Sequence, residues 1–261
     1  MIWLYDLPIW LVEIVCLGVA ASIGIGLHLL VQRLVPFSRL VKHNDVAGFL
    51  FSMIGVIYAV VLGFVVIVVW EKYDTALANA QVEESAASDL YRIAAGFPDP
   101  TRSEIRIQIK DLARIMVDQE WPAMRQGRNS PAAYLAGEHV AYSIEHIEPH
   151  GAAQSNLQAA ALTSLQKYLD ARRQRLAENE GAVLPILWLT LILGGMATLG
   201  FTYFFGTENQ RMQLTMTGII AALIATMFVL IVEFNHPFAG SVSIEPKMWT
   251  NFIQNVLPVV R

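Results

Sequence analysis

Four long apolar runs, residues 9–31, 46–70, 183–205 and 212–234, fall into two pairs separated by a polar stretch, 71–182. At about 1.5 Å per residue in a helix, each run can cross a hydrocarbon core of about 30 Å. Inside lipid every backbone N–H and C=O must be satisfied within its own segment, so the runs predict membrane-spanning helices.

The stretch between the pairs is helical in pattern. Residues 70–95 contain no Gly or Pro and place Val82, Ala86, Leu90 and Ile93 at helical spacing, which predicts that the second span continues as one rod. Gly96 and Pro98 stop it, and Asp99 or Thr101 is the expected cap of a second helix. That helix carries Ile105, Ile109, Leu112, Ile115 and Met116 on one face and is expected to end before Pro122. After a loop at 127–131, Ser130 caps a third helix, 132–148. A fourth, 154–180, has an apolar stripe of Leu157, Leu162, Leu165, Leu169 and Leu176 and is expected to run into span three. No strand pattern is present. The expected fold is an all-α polytopic membrane protein with four transmembrane helices in two pairs. Its parts are a first pair in 1–70, a helical stalk domain in 71–182, a second pair in 183–234 and a C-terminal tail, 235–261.

Composition agrees: 55% of residues are hydrophobic, only 15% are charged, and mean hydropathy is +0.46. The net charge of -4 includes no basic stripe interleaved with aromatics, so no nucleic-acid partner is expected. The single cysteine, Cys16, lies inside span one and reads as a small packing residue. The stretch 1–8 carries no Lys or Arg, so the first span is expected to remain a membrane helix rather than act as a signal peptide.

The loop 32–45 holds Arg33, Arg39, Lys42 and His43, with Pro36 breaking any helix. The loop 206–211 holds Glu208 and Arg211. Bases in short loops favour the cytoplasm, which places the stalk domain of a cell (inner) membrane protein outside it. Lys167, Arg172, Arg173 and Arg175, just before span three, argue the other way.

Small residues recur every four positions in the spans, including Gly18, Ser22 and Gly26 in span one and Gly55, Ala59 and Gly63 in span two. Such strips let helices approach closely, either within one subunit or between neighbouring subunits. On another face span two presents Phe51, Ile54 and Tyr58, which is either a packing stripe or, ringed around an axis, an apolar neck that gates by dewetting. Ionisable groups in or beside spans are candidates for an ion path: Glu13, Glu71, Glu233 and His236 belong to one membrane side by the count of crossings. His28 shares roughly the face of Glu13, about four turns further along. Asn44 and Asp45 open span two and serve either as a helix cap or as a pore mouth. The histidines His139, His146 and His150 are spaced seven and four, but Pro149 interrupts the last pair, so they do not form a simple i, i+4 helical metal pair. There is no phosphate loop, zinc spacing or nucleophile elbow, so no enzyme activity, catalytic residue, cofactor or metal is expected.

Several blocks look alike to a known group: His43-Asn44-Asp45-Val46-Ala47-Gly48, the run from Ile54 to Phe64, Glu120-Trp121-Pro122, Arg172 to Arg175 ahead of Leu184-Pro185, and His236-Pro237-Phe238-Ala239-Gly240. Together they resemble a bacterial membrane family of unknown function labelled bestrophin-like, over nearly the whole chain. The resemblance implies a distant likeness to bestrophins, pentameric anion channels with two spans, a helical excursion, two more spans and a tail. It implies a homo-oligomer in a lipid bilayer (a pentamer by analogy alone), ions as partners, and a neck drawn from Phe51, Ile54 and Tyr58. The 235–261 tail has no acidic calcium clasp of the bestrophin kind, so calcium gating is not implied. Bestrophins also keep their excursion in the cytosol, and the acids Glu13 and Glu233 fit poorly with anion selectivity. The expected function is an oligomeric ion channel or pore lined by span two. The alternative is a non-conducting scaffold or sensor whose stalk binds a partner protein.

Overall fold

Helix α1 covers Ile9–Leu34 and α2 covers Asn44–Ala94, a single helix of 51 residues. A computed structural model describes residues 7–34, 44–207 and 209–256. Pro36, Arg39, Lys42, His43 and Glu208, on which the loop charges rest, lie outside them. The remaining helices are α3 (Thr101–Ile115), α4 (Trp121–Met124), α5 (Pro131–Glu145), α6 (Ala152–Ala177), α7 (Pro185–Thr202), α8 (Gln210–Asn235) and α9 (Lys247–Asn251). No strand occurs among the described residues. Four helices, α1, α2, α7 and α8, are long and apolar enough to cross a membrane. The fold is all-helical, and the chain is an integral membrane protein.

The chain divides into two units, and α2 supplies residues to both. The first unit holds the four spans. There α1 and α8 lie antiparallel in close contact: a Cβ added at Gly24 would come within 3.2 Å of Ala221, and one at Gly218 within 3.4 Å of Ile25. Small residues at these crossings let the two backbones approach. Between α2 and α7 a smaller core gathers Tyr58, Leu62, Val65, Val69 and Leu191. Asn235, at the end of α8, accepts from the Val183 amide at 2.8 Å and, through its own carbonyl, from the Ala182 amide at 3.2 Å. Those bonds satisfy backbone donors ahead of α7.

The second unit contains 72–180 and the described part of the chain after 235. Its core is built from Leu90 and Tyr91 of α2, Ile105, Ile109 and Leu112 of α3, Val140 and Ile144 of α5 and Leu165 and Tyr168 of α6. Phe238, Ile244, Trp249 and Phe252 from the C-terminal segment are buried in the same core. The uninterrupted helix expected through 70–95 is present as part of α2.

Two local expectations are corrected. The fourth stalk helix does not continue into span three: α6 ends at Ala177, and α7 begins at Pro185. Leu184, ahead of the proline, is extended at φ -62 and ψ 148, as the proline ring requires of its predecessor. The second stalk helix does end before Pro122, with α3 stopping at Ile115. A π-helical turn, Met116–Glu120, leads from α3 into α4, whose first turn holds Pro122, where the missing N–H costs no helical bond. The first residue ahead of α3 is Pro100, with no side-chain cap, while Asp99 instead accepts from Ser103 at 2.6 Å and pairs with Arg102.

Candidate functional site

Span two turns one face onto the rest of its own unit. Tyr58 is 6% exposed and donates its hydroxyl to the Leu191 carbonyl at 3.0 Å. Its ring fills the hollow left by two α7 glycines: a Cβ at Gly194 would lie 2.5 Å from the ring, and one at Gly195 would lie 2.9 Å from the hydroxyl. Phe51, two turns earlier, meets Phe205 edge-on with centroids 5.8 Å apart, and Ile54 is half-buried. The Phe51, Ile54 and Tyr58 face therefore makes contacts inside one subunit.

The other face of α2 is open. Phe49, Met53, Val56, Val60 and Phe64 are each more than half exposed. Along it Ala59 and Gly63 are exposed and Gly55 is half-exposed. In α1, Gly18, Ser22 and Gly26 are exposed. A Cβ added at Gly18, Gly26, Gly55 or Gly63 would meet nothing within 4 Å. Packing among the described residues does not consume either small-residue strip.

Asn44 and Asp45 part ways at the head of α2. The Asn44 side chain donates to the Gly206 carbonyl at 2.7 Å and accepts from the Gly206 amide at 3.0 Å, while Asp45 is exposed. One amide thus ties the start of span two to the turn after span three. Glu13 is half-buried, Glu71 exposed and Glu233 buried at 4% exposure. His236 is half-buried. Its imidazole lies below its usual titration range because burial disfavours the charged form and Lys72 adds to that, against a hydrogen bond with the Asn179 backbone.

A polar cluster closes the membrane unit at the far end of α1. His28 is fully buried there. Gln32 donates to Gln213 Oε1 at 3.2 Å and accepts from Gln210 at 2.9 Å, which fixes its amide so that it also donates to His28 Nε2 at 2.9 Å. Neutral His28 must then carry its proton on Nδ1, a buried atom with no hydrogen-bond partner among the described residues. The Tyr203 ring lies edge-on to His28 at 5.5 Å, and its hydroxyl is likewise buried and unbonded. Gln213 donates to the Phe205 carbonyl and accepts from Thr207 at 3.3 Å. Glu13 lies fifteen residues, about 22 Å, back along α1, out of reach of His28.

The second unit buries four charges together. Glu83 of α2, Glu120 of the π turn, and Arg172 and Arg175 of α6 show 6% exposure or less in their side chains. Arg175 pairs with Glu83 through Nε and again through Nη2 at 3.1 Å, and reaches Glu120 at 3.3 Å. Arg172 reaches Glu120 at 3.1 Å and Glu83 at 3.5 Å. The second oxygen of Glu120 accepts from the Ser130 amide at 2.9 Å, and the Arg175 guanidinium lies 4.7 Å over the Trp121 ring. Trp121 in turn donates to the Ile244 carbonyl at 3.0 Å, which draws the C-terminal segment in. Burial alone would lower the Arg175 titration range, but Glu83 and then Glu120 hold it above the ordinary value. Burial pushes the Tyr168 phenol up, and Glu83 adds to it.

Sequence reasoning used Arg172, Arg173 and Arg175 as orientation charges and Glu120-Trp121 and Arg172 to Arg175 as family blocks, and it passed over Glu83. A signal was present. Ala76, Ala80, Glu83, Ala87, Leu90 and Ala94 repeat at alternating steps of four and three, and all are buried. A glutamate at a core position of such a stripe requires a partner. His28 was weighed only with Glu13, yet it lies one turn before Gln32 on a helix that is otherwise apolar there.

Neither the curated proteins nor the solved structures include a match to this chain. The family model of the bestrophin-like domain matches residues 18–248, from within α1 to the start of α9. With the match covering most of its length, the chain belongs to the bestrophin-like family.

Proposed function

We propose that the chain is one subunit of a bestrophin-like oligomeric ion channel or pore in which span two lines the path. The observation that carries this reading is the open face of α2. A helix with Phe49, Met53, Val56 and Val60 uncovered, and with Gly55, Ala59 and Gly63 beside them, has a smooth surface for a neighbouring subunit and an apolar surface for a constriction. In this reading Tyr58 sets the rotation of span two by docking on Gly194 and Gly195. Phe51 and Ile54 border the constriction and Met53 and Val56 complete it. Glu13, Glu71, Glu233 and His236 stand as the ion-path candidates of one mouth, and Asp45 of the other. The short-loop bases support an orientation in a bacterial inner membrane with the second unit outside the cytoplasm.

Reconstitution of the purified chain into planar bilayers tests the reading, and ionic current supports it. A second reading, a scaffold or sensor, is favoured by the outward face of α5, where Tyr134, Leu135 and Tyr142 are more than half exposed. Silent bilayers under every salt, voltage and pH would leave that reading standing. Membrane-impermeant thiol labelling of Ser103→Cys in intact cells tests the orientation, and labelling of Ser38→Cys alone from outside reverses it.

A further inference from the structure

The polar cluster at the end of α1 is a chain of hydrogen bonds with one direction. Gln210 donates to Gln32 Oε1, Gln32 donates to His28 Nε2 and to Gln213 Oε1, and Gln213 donates to the Phe205 carbonyl. Both protons of the Gln32 amide are in use, which fixes its orientation. His28 is fully buried and Gln213 is 3% exposed, so solvent does not stand in for these bonds. The direction holds only while His28 Nε2 keeps a lone pair.

Histidine is the side chain whose charge ordinarily changes between pH 5 and 8. A proton on His28 Nε2 sets N–H against N–H at 2.9 Å, and the Gln32 amide must turn over to present its oxygen. That oxygen then faces Gln213 Oε1, acceptor against acceptor, and Gln213 must turn as well. Exposed Gln210 follows freely, and the Thr207 hydroxyl accepts from the turned Gln213 while still donating to the Asn209 carbonyl. The Phe205 carbonyl has no such adjustment, because it then faces the Gln213 oxygen and loses its donor. Gly206, the next residue, holds both side-chain bonds of Asn44 at the head of α2, and the Phe205 ring meets Phe51 edge-on. A shift at 205–206 therefore reaches span two.

The charged groups of the neighbouring elements offer His28 no other route. Helices α1 and α8 carry one carboxylate each: Glu13 lies about 22 Å along α1 from His28, and Glu233 about 30 Å along α8 from Gln213. Helix α7 carries none, and Tyr203, just after it, lies edge-on to the imidazole. Arg33 of α1, Arg211 of α8 and Asp45 of α2 are exposed. We propose that His28 is a proton-operated switch: proton uptake turns the Gln32 and Gln213 amides and loosens the turn at 205–206 that holds the head of span two. This switch does not depend on span two lining an ion path.

Nitroxide labels on Asp45→Cys and Arg211→Cys in a Cys16→Ala background read the separation of the α2 head from the start of α8, both at exposed positions. Doubly labelled full-length chains, diluted among unlabelled ones in a neutral detergent, would be compared at pH 8 and pH 5 by pulsed electron spin resonance. One separation is expected at pH 8 and a second population at pH 5. In His28→Gln an amide oxygen replaces Nε2 as the acceptor and takes up no proton, so the second population should not form at pH 5. Gln213→Met keeps His28 but cuts the chain of bonds before Phe205, and its separations should be the same at both pH values. Identical separations at pH 8 and pH 5 with His28, Gln32 and Gln213 all in place would overturn the proposal. A response to pH that persists in either variant would overturn it too, so each variant decides the matter even where the other fails to fold.

Discussion

Arg175 and Glu83, 92 positions apart, form a two-bonded ion pair with no exposed side-chain surface. Each arginine of the cluster faces both glutamates, so the four charges balance, and all four side chains are buried from solvent that could replace a lost partner. The energetic weight of such a group lies in its completeness more than in its attraction, because desolvation offsets much of the Coulomb gain.

Removing one member should therefore cost far more than removing a pair. Arg175→Met should destabilise the protein by about 3–5 kcal/mol, since Glu83 and Glu120 keep their charge with one guanidinium fewer. The double variant Glu83→Met with Arg175→Met should recover a measurable part of that loss. Thermal unfolding of the detergent-solubilised chain measures both, and additive losses would mean that the pair acts independently.

The fit of Tyr58 against α7 predicts a size-dependent coupling. Gly194→Ala should cost about 1–3 kcal/mol, because the new methyl cannot share space with the Tyr58 ring. In a Tyr58→Ala background the same change should be nearly neutral. Tyr58→Phe, which loses only the bond to the Leu191 carbonyl, should cost about 0.6 kcal/mol.

Much of this architecture was readable from periodicity. Spans, the long continuation of α2 and the Ser130 cap follow from local patterns of apolar spacing and turn residues, which a linear sequence displays directly. The break before α7 was misjudged because leucine spacing in α6 runs up to Leu176 and outweighed Gly181 and Pro185. The charge cluster was not readable as a cluster, since Glu83 finds its partners only through a packing 92 residues distant. For Tyr58 the sequence identifies the face but not its neighbour. Two adjacent glycines in span three make a hollow only once the two helices are side by side.

Asn44 offers a test of how far one polar residue orders the membrane unit. Both of its side-chain bonds go to Gly206, so Asn44→Ala leaves a donor and an acceptor of the backbone unmatched. The expected loss is about 1–3 kcal/mol, with Asn44→Asp recovering only the bond from the Gly206 amide. Faster proteolysis at the turn near Gly206 in Asn44→Ala would report the loss directly.

His236 predicts an acid-sensitive limb of stability. Its folded range lies below the ordinary 6.5, so the unfolded chain takes up the proton first as pH falls. More protons on the unfolded state mean stability that rises with pH. The contribution is neutral above pH 6.5 and turns unfavourable below it. Unfolding temperatures of the unaltered chain and His236→Gln should agree at pH 8, and the unaltered chain should lose more on going to pH 5.5. A parallel fall in both would remove His236 as the cause.

The claim that span two lines an ion path is tested most directly by current through Val56→Cys in a Cys16→Ala background. Val56 lies on the open face of α2, and 65% of its surface is uncovered in the single chain. Planar bilayers with this variant should pass current that falls when a charged thiol reagent is added, while Tyr58→Cys, docked on α7, should respond weakly. Current that is indifferent to modification at Val56 would contradict the lining, and the absence of current from the unaltered chain under every salt, voltage and pH would contradict the pore itself.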